Sequence, residues 1–202
     1  MKLLLNALTK FIIGFALMGA MLFLPMLIMG AVMLIKCPTL LEKRLDAREK
    51  ESAQKGVVAL SGLMFPAGFI ISALDFRFGW SCVPVWASIT AAAVFLAGYG
   101  LYAEVMRENA YLSRTVKVED GQRVISTGLY RVVRHPMYLA TLLMFLPIPI
   151  ILSSLYGLIP FALYPIIIVV RILNEEKLLT RDLDGYAEYK KKTKYRLIPF
   201  IW

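Results

Sequence analysis

Gly128-Leu-Tyr-Arg-Val-Val-Arg-His-Pro-Met-Tyr138 is the stretch from which the rest of the chain can be read. It carries the only histidine, His135, directly before Pro136 and a long apolar run. Proline suits the first position of a helix, because its missing N–H would have no partner inside the helix there. The pattern predicts a membrane helix opening at Pro136, with His135 at its cap and Arg131 and Arg134 just outside. A helix start presents backbone N–H groups and a positive dipole end, a seat for a carboxylate or phosphate. The plainer alternative is a basic turn whose arginines meet lipid headgroups.

Downstream, residues 137–170 run 34 positions without a charge, broken by Pro147, Pro149, Ser153, Ser154, Gly157, Pro160 and Pro165. One helix of that length would overshoot a bilayer, and the Pro/Ser/Gly cluster is ill suited to a helix interior. Two short helices in a hairpin fit better. Upstream lie three further apolar segments, 11–35, 57–74 and 83–103, the last with Gly98 and Gly100 to allow close helix contact. The predicted fold is an all-α integral membrane domain of five transmembrane helices, the last two a proline-broken hairpin. A small extramembrane flap and a C-terminal tail complete it. At 202 residues one domain is expected, with N-terminal helices in 1–108 and a distinct region in 109–202.

Composition agrees. The chain is 59% hydrophobic with a net charge of +9, a balance that belongs to the membrane class. The excess of Lys and Arg reads as the positive-inside rule rather than as nucleic-acid affinity. Cys37 and Cys82 have no metal-ligand spacing around them, so no metal is expected. The first apolar run is too long for a cleavable secretory signal. Lys plus Arg number six in 36–56, six in 104–136 and seven in 174–202, against one in 75–82 and none in 149–156. Five crossings put the three rich segments on one side, predicted to be cytoplasmic, with the N-terminus outside. The expected location is the plasma (inner) membrane, with the site on its cytoplasmic face.

The connecting segments fill in the picture. Residues 37–56 alternate charges at helical spacing, such as Asp46 with Lys50, and read as a short solvated helix. Asp75, Arg77 and the aromatics around Trp80 read as a loop at the headgroup level. Glu104, Arg107 and Glu108 read as a helix emerging into water. Residues 115–125 alternate partly around Asp120-Gly121, a hairpin-turn signal, and predict the flap. Lys190-Lys-Lys192 and Lys194, among Tyr186, Tyr189 and Tyr195, read as a tail against an anionic membrane surface. Arg171 ends the last apolar run, where an ionisable side chain is a functional candidate. Glu175 shares its helical face, and Glu176 turns away. Taken plainly, these are an i,i+4 salt bridge and two solvated carboxylates.

Gly128–Tyr138, the proline-broken hairpin, Arg171-Ile-Leu-Asn-Glu-Glu-Lys-Leu-Leu179, Tyr186-Ala-Glu-Tyr189 and Leu197-Ile-Pro199, in that order, resemble the isoprenylcysteine carboxyl methyltransferase family. That family belongs to a wider group with phospholipid N-methyltransferases. The resemblance covers about residues 110–202; residues 1–100 match only as a series of membrane helices. It implies an S-adenosylmethionine-dependent methyltransferase whose cofactor is enclosed by flap, hairpin and tail. By position, Gln122, Arg123, Val124 and Ile125 would line the cofactor and Tyr130 would close on it. His135, Pro136, Met137 and Tyr138 would hold its amino-acid end, Glu175 its ammonium, and Arg171 would face the acceptor. The sequence departs from the pattern at Gln122, where a histidine is frequent, and at Leu183-Asp-Gly-Tyr186, a shortened Phe-Gly-x-x-Tyr.

The implied acceptor is a lipophilic or lipidated molecule reached from the membrane lipids. Methyl transfer from a sulfonium mainly needs positioning. A carboxylate acceptor needs a cation to orient it, which a bidentate arginine supplies, whereas an amine must first lose a proton. Carboxylate O-methylation is therefore favoured over phospholipid amine N-methylation. Two other readings stand beside these. Membrane sterol reductases carry a similar Arg-His-Pro-x-Tyr region with a nicotinamide cofactor, and a non-catalytic scaffold would keep the fold alone.

Overall fold

The computed structural model describes residues 19–21, 23–45, 52–112, 118 and 121–202. The chain divides into two compact units, Met1–Leu41 and Glu42–Trp202. The first carries α1 (Gly19–Lys36), long and apolar enough to cross a membrane. Then comes α2 (Pro38–Leu45), whose first turn begins at Cys37: its carbonyl accepts the N–H groups of Leu40 and Leu41, both at 3.1 Å. The expected Asp46–Lys50 pairing lies outside the described residues.

The second unit is built from α3 (Ser52–Phe78), α4 (Val85–Glu108), α5 (Pro136–Phe145), α6 (Ile148–Ile151), α7 (Leu158–Phe161), α8 (Leu163–Asp182) and α9 (Tyr186–Lys192). A 3₁₀ turn, Gly128–Arg131, precedes α5. Among the described residues four helical stretches are long and apolar enough to span: α1, most of α3, α4, and α7 with α8 as Leu158–Asp182. The expected fifth crossing is a shorter arm, Pro136–Ile151. Its 16 residues rise about 24 Å, short of the roughly 30 Å hydrocarbon core, and it breaks at Pro147. Residues 113–117, 119 and 120 of the predicted hairpin lie outside the described residues, and 121–126 form no strand. Among the described residues the β pairing is one parallel bridge, Val133 to Tyr195.

α4 packs along α5 and α6, and α3 along α7 and α8. Gly98 permits the first contact: a Cβ there would stand 2.9 Å from Met144 Cγ and 3.0 Å from Met144 N. Gly100 faces open space instead. Gly68 admits the ring of Phe161 in the same way. Phe65, Phe145, Phe161 and Tyr164 meet edge-on or tilted, with centroids 4.9–6.0 Å apart, and close the core between the two pairs.

One end of the bundle is fastened by a residue read from sequence as part of a surface loop. Asp75 is fully buried. Its carboxylate accepts the Ser81 N–H at 2.7 Å, the Ser81 hydroxyl at 2.6 Å, the Ser154 hydroxyl at 2.5 Å and the Tyr156 N–H at 3.3 Å. A buried carboxylate is costly unless such donors surround it. Asp75 therefore ties the α3–α4 loop to the tip of the proline-broken hairpin, which leaves the opposite end of the bundle for the site.

Candidate active site

At that opposite end a cavity of about 590 Å³ runs between α3, α5 and α8, under residues 122–125 and against α9. Its inner part is apolar, with Val58, Gly62 and Phe65 facing Phe145, Ile167 and Ile168. Its outer part is polar. Gln122, Arg123, Val124, Ile125, Tyr130, His135, Met137, Tyr138, Arg171 and Glu175 all line it. Pro136 is not in the wall; it is fully buried at the first position of α5.

His135 is the N-cap residue, as the His-Pro pair implies. The backbone donors around it are already engaged. Arg134 N donates to Tyr195 O at 2.9 Å, His135 N to Arg196 O at 2.8 Å, and Tyr138 N to His135 O at 3.1 Å. An anion placed at this helix start would therefore meet side chains more than a row of open N–H groups.

Where the polar and apolar parts meet, the Tyr138 hydroxyl stands between two charges. It accepts from Arg171 Nε at 2.9 Å and donates to Glu175 Oε2 at 2.5 Å. Arg171 and Glu175 share a face of α8, as their spacing predicts, and Tyr138 from α5 joins them there.

Glu176 corrects the plain reading of two solvated carboxylates. Its side chain is 4% exposed, and Arg134 Nε approaches its Oε1 at 2.7 Å, Arg196 Nε its Oε2 at 3.0 Å, and His135 Nε2 its Oε1 at 3.4 Å. Arg134, just outside α5 as the pattern predicts, is likewise buried and does not face lipid headgroups: it also donates to the carbonyls of Thr193 and Lys194 at 2.8 and 3.0 Å. The tail thus seats against Gly128–Tyr138. Sequence reasoning missed this cluster, although an arginine beside His135 and a second glutamate beside Glu175 were its available signals.

Two further pieces hold the wall. Glu108 accepts the Leu129 N–H at 3.0 Å; a side chain on Gly128, at φ +44°, would collide with that carboxylate. Asn109 donates to the Tyr130 hydroxyl at 2.9 Å, and the Tyr189 hydroxyl donates to Tyr130 O at 2.6 Å. Burial pushes the phenols of Tyr130 and Tyr186 well up, and that of Tyr189 to about 12. All three therefore remain neutral donors at physiological pH. The Tyr186 hydroxyl is buried at the cavity and has no hydrogen-bond partner among the described residues.

The phospholipid methyltransferase family model matches residues 86–184. Residues 86–184 are a phospholipid methyltransferase domain. This domain belongs to the group that also holds the isoprenylcysteine carboxyl methyltransferases. It begins earlier than the resemblance read from motifs, taking in α4, and ends just after α8, leaving α9 and the tail beyond it. No curated protein matches the chain. The matched domain supports a membrane methyltransferase, and members of the matched family generally use S-adenosylmethionine.

Proposed function

We propose that this methyltransferase domain binds S-adenosylmethionine in the polar part of the cavity and methylates a lipid-like acceptor reaching it through the apolar part. The observation that carries the reading is the Arg171–Tyr138–Glu175 chain of hydrogen bonds at the junction of the two parts. A volume of about 590 Å³ is in the range of ligand pockets, and the Tyr186 hydroxyl, without a partner among the described residues, offers a donor or acceptor to a polar ligand. The residues present fit the cofactor.

Gln122, Arg123, Val124 and Ile125 would cover it, with Tyr130 closing on it. His135, Met137 and Tyr138 would hold the amino-acid end, with Pro136 fixing the helix start behind them. Glu175 would take the ammonium. The cofactor supplies an activated methyl group on a sulfonium. The protein's task is then to orient the acceptor and exclude water. Arg171 can orient a carboxylate or phosphate with its planar fork, and the apolar wall from Val58 to Phe65 suits a hydrocarbon chain.

Carboxylate O-methylation is the favoured reaction, because a carboxylate reacts without a base and Arg171 supplies the cation that positions it. Methylation of a phospholipid amine is the second reading, favoured by the description of the matched family; there Arg171 would meet the phosphate. Purified protein with methyl-labelled S-adenosylmethionine and a membrane lipid extract decides the matter. An alkali-labile labelled ester is expected. An alkali-stable labelled amine would select the second reading, and absence of transfer to any lipid would overturn both.

A further inference from the structure

The face of α8 turned away from the cavity carries charge and apolarity in the order of a lipid. Ile166, Val170, Leu173, Lys177 and Arg181 follow one another at intervals of three or four residues and so form one stripe. Ile166, Val170 and Leu173 are 61%, 41% and 39% exposed, and Lys177 and Arg181 are exposed. At its charged end the stripe opens into a groove of about 450 Å³, completed by Lys190 and Arg196. Four cations line this groove. Among the described residues two carboxylates answer them: Glu176, shared between Arg196, Lys190 and the buried Arg134, and Asp182, paired with Arg181. The surplus is positive, and the apolar stripe runs directly away from it along the helix.

We propose that this groove binds the headgroup of an anionic phospholipid, with an acyl chain along Ile166, Val170 and Leu173. Charge complementarity selects the headgroup, and the exposed apolar stripe selects a lipid over a soluble phosphate. The site is separate from the cavity, whose residues on α8 (Tyr164, Ile167, Ile168, Arg171, Glu175, Leu179) occupy another face. It does not depend on the methyl-transfer reading.

Trp202 supplies a reporter, its ring lying 5.2 Å from the Arg196 guanidinium carbon. The full chain carrying Trp80→Phe and Trp86→Phe, in phosphatidylcholine nanodiscs, keeps Trp202 as its one tryptophan. Each basic residue near an anionic headgroup is worth about fivefold in affinity. Brominated phosphatidylglycerol should therefore half-quench Trp202 at a mole fraction at least fivefold lower than brominated phosphatidylcholine. Lys177→Gln with Lys190→Gln should remove that preference, while Lys191→Gln with Lys192→Gln, exposed lysines outside the groove, should keep it. Equal quenching by the two lipids, or equal loss in both double variants, would overturn the site. Relief of quenching by millimolar glycerol phosphate would overturn the lipid in favour of a soluble phosphate. Native mass spectrometry of the wild-type tryptophan background gives a second measurement. Phosphatidylglycerol should stay bound in preference to phosphatidylcholine, and loss of that preference in the Lys177→Gln, Lys190→Gln chain alone supports the site.

Discussion

Glu175 and Glu176 are neighbours in sequence, yet α8 turns their side chains about 100° apart, and they meet different partners. Glu175 meets Tyr138 and through it Arg171. Arg171→Ala should leave S-adenosylmethionine binding largely intact and lower methyl transfer on the order of 10²-fold, the cost of lost orientation. Arg171→Lys should recover only part, because a point charge cannot reproduce the planar fork. Cofactor affinity and turnover measured on the same protein check this, and normal turnover in Arg171→Ala would remove that residue from the site. Glu176, by contrast, neutralises Arg134, whose side chain is 6% exposed. Glu176→Ala leaves that guanidinium buried and unpaired, a change that typically costs about 3–5 kcal/mol. The expected outcome is lower thermal stability in detergent, with faster tryptic cleavage at Lys190–Lys194 as the tail loosens. Unchanged cleavage would show that the Arg134 bonds to Thr193 and Lys194 hold the tail without Glu176.

At the scale of elements, the hairpin of α5–α6 and α7–α8 turns on a tip rich in helix-breaking residues. Its backbone needs outside partners there, and Asp75 and Ser81 supply them. Asp75→Ala removes the acceptor of four hydrogen bonds, two of them from N–H groups and two from hydroxyls. A loss of about 2–4 kcal/mol is expected, the range for leaving buried donors unsatisfied. Denaturation in detergent would show it as a lower midpoint. Because the tip lies at the far end of the bundle from the cavity, cofactor affinity of the folded fraction should change less than twofold. A larger change would mean that the two ends of the hairpin are coupled.

For the whole molecule, charge predicts the orientation in the membrane. The end that carries α9 and the tail is rich in Lys and Arg, while the end with the α3–α4 loop holds Arg77 alone of these types between 75 and 82. Cys82 is exposed at that poorer end, and Lys191 is exposed at the other. In a Cys37→Ser background, an impermeant thiol reagent outside intact cells should label Cys82 and should not label a cysteine replacing Lys191. The reverse pattern would invert the orientation and move the cavity to the outer face.

By itself the sequence settled what local physics can settle. Apolar runs and prolines marked the helices and the broken hairpin, His135-Pro136 marked the start of α5, and the spacing of Arg171 and Glu175 put them on one face. The motifs also selected residues that come to line one cavity, from Gln122 to Glu175. Tertiary structure decided which faces meet. Hydropathy and periodicity describe a residue's immediate neighbours, whereas Asp75 finds Ser154 79 residues away and Arg134 finds Glu176 42 residues away. A glutamate written next to its twin looks solvated until a tail folds over it. An aspartate at a helix end looks like a surface charge until the following loop and a hairpin tip each bring it a hydroxyl and an N–H group.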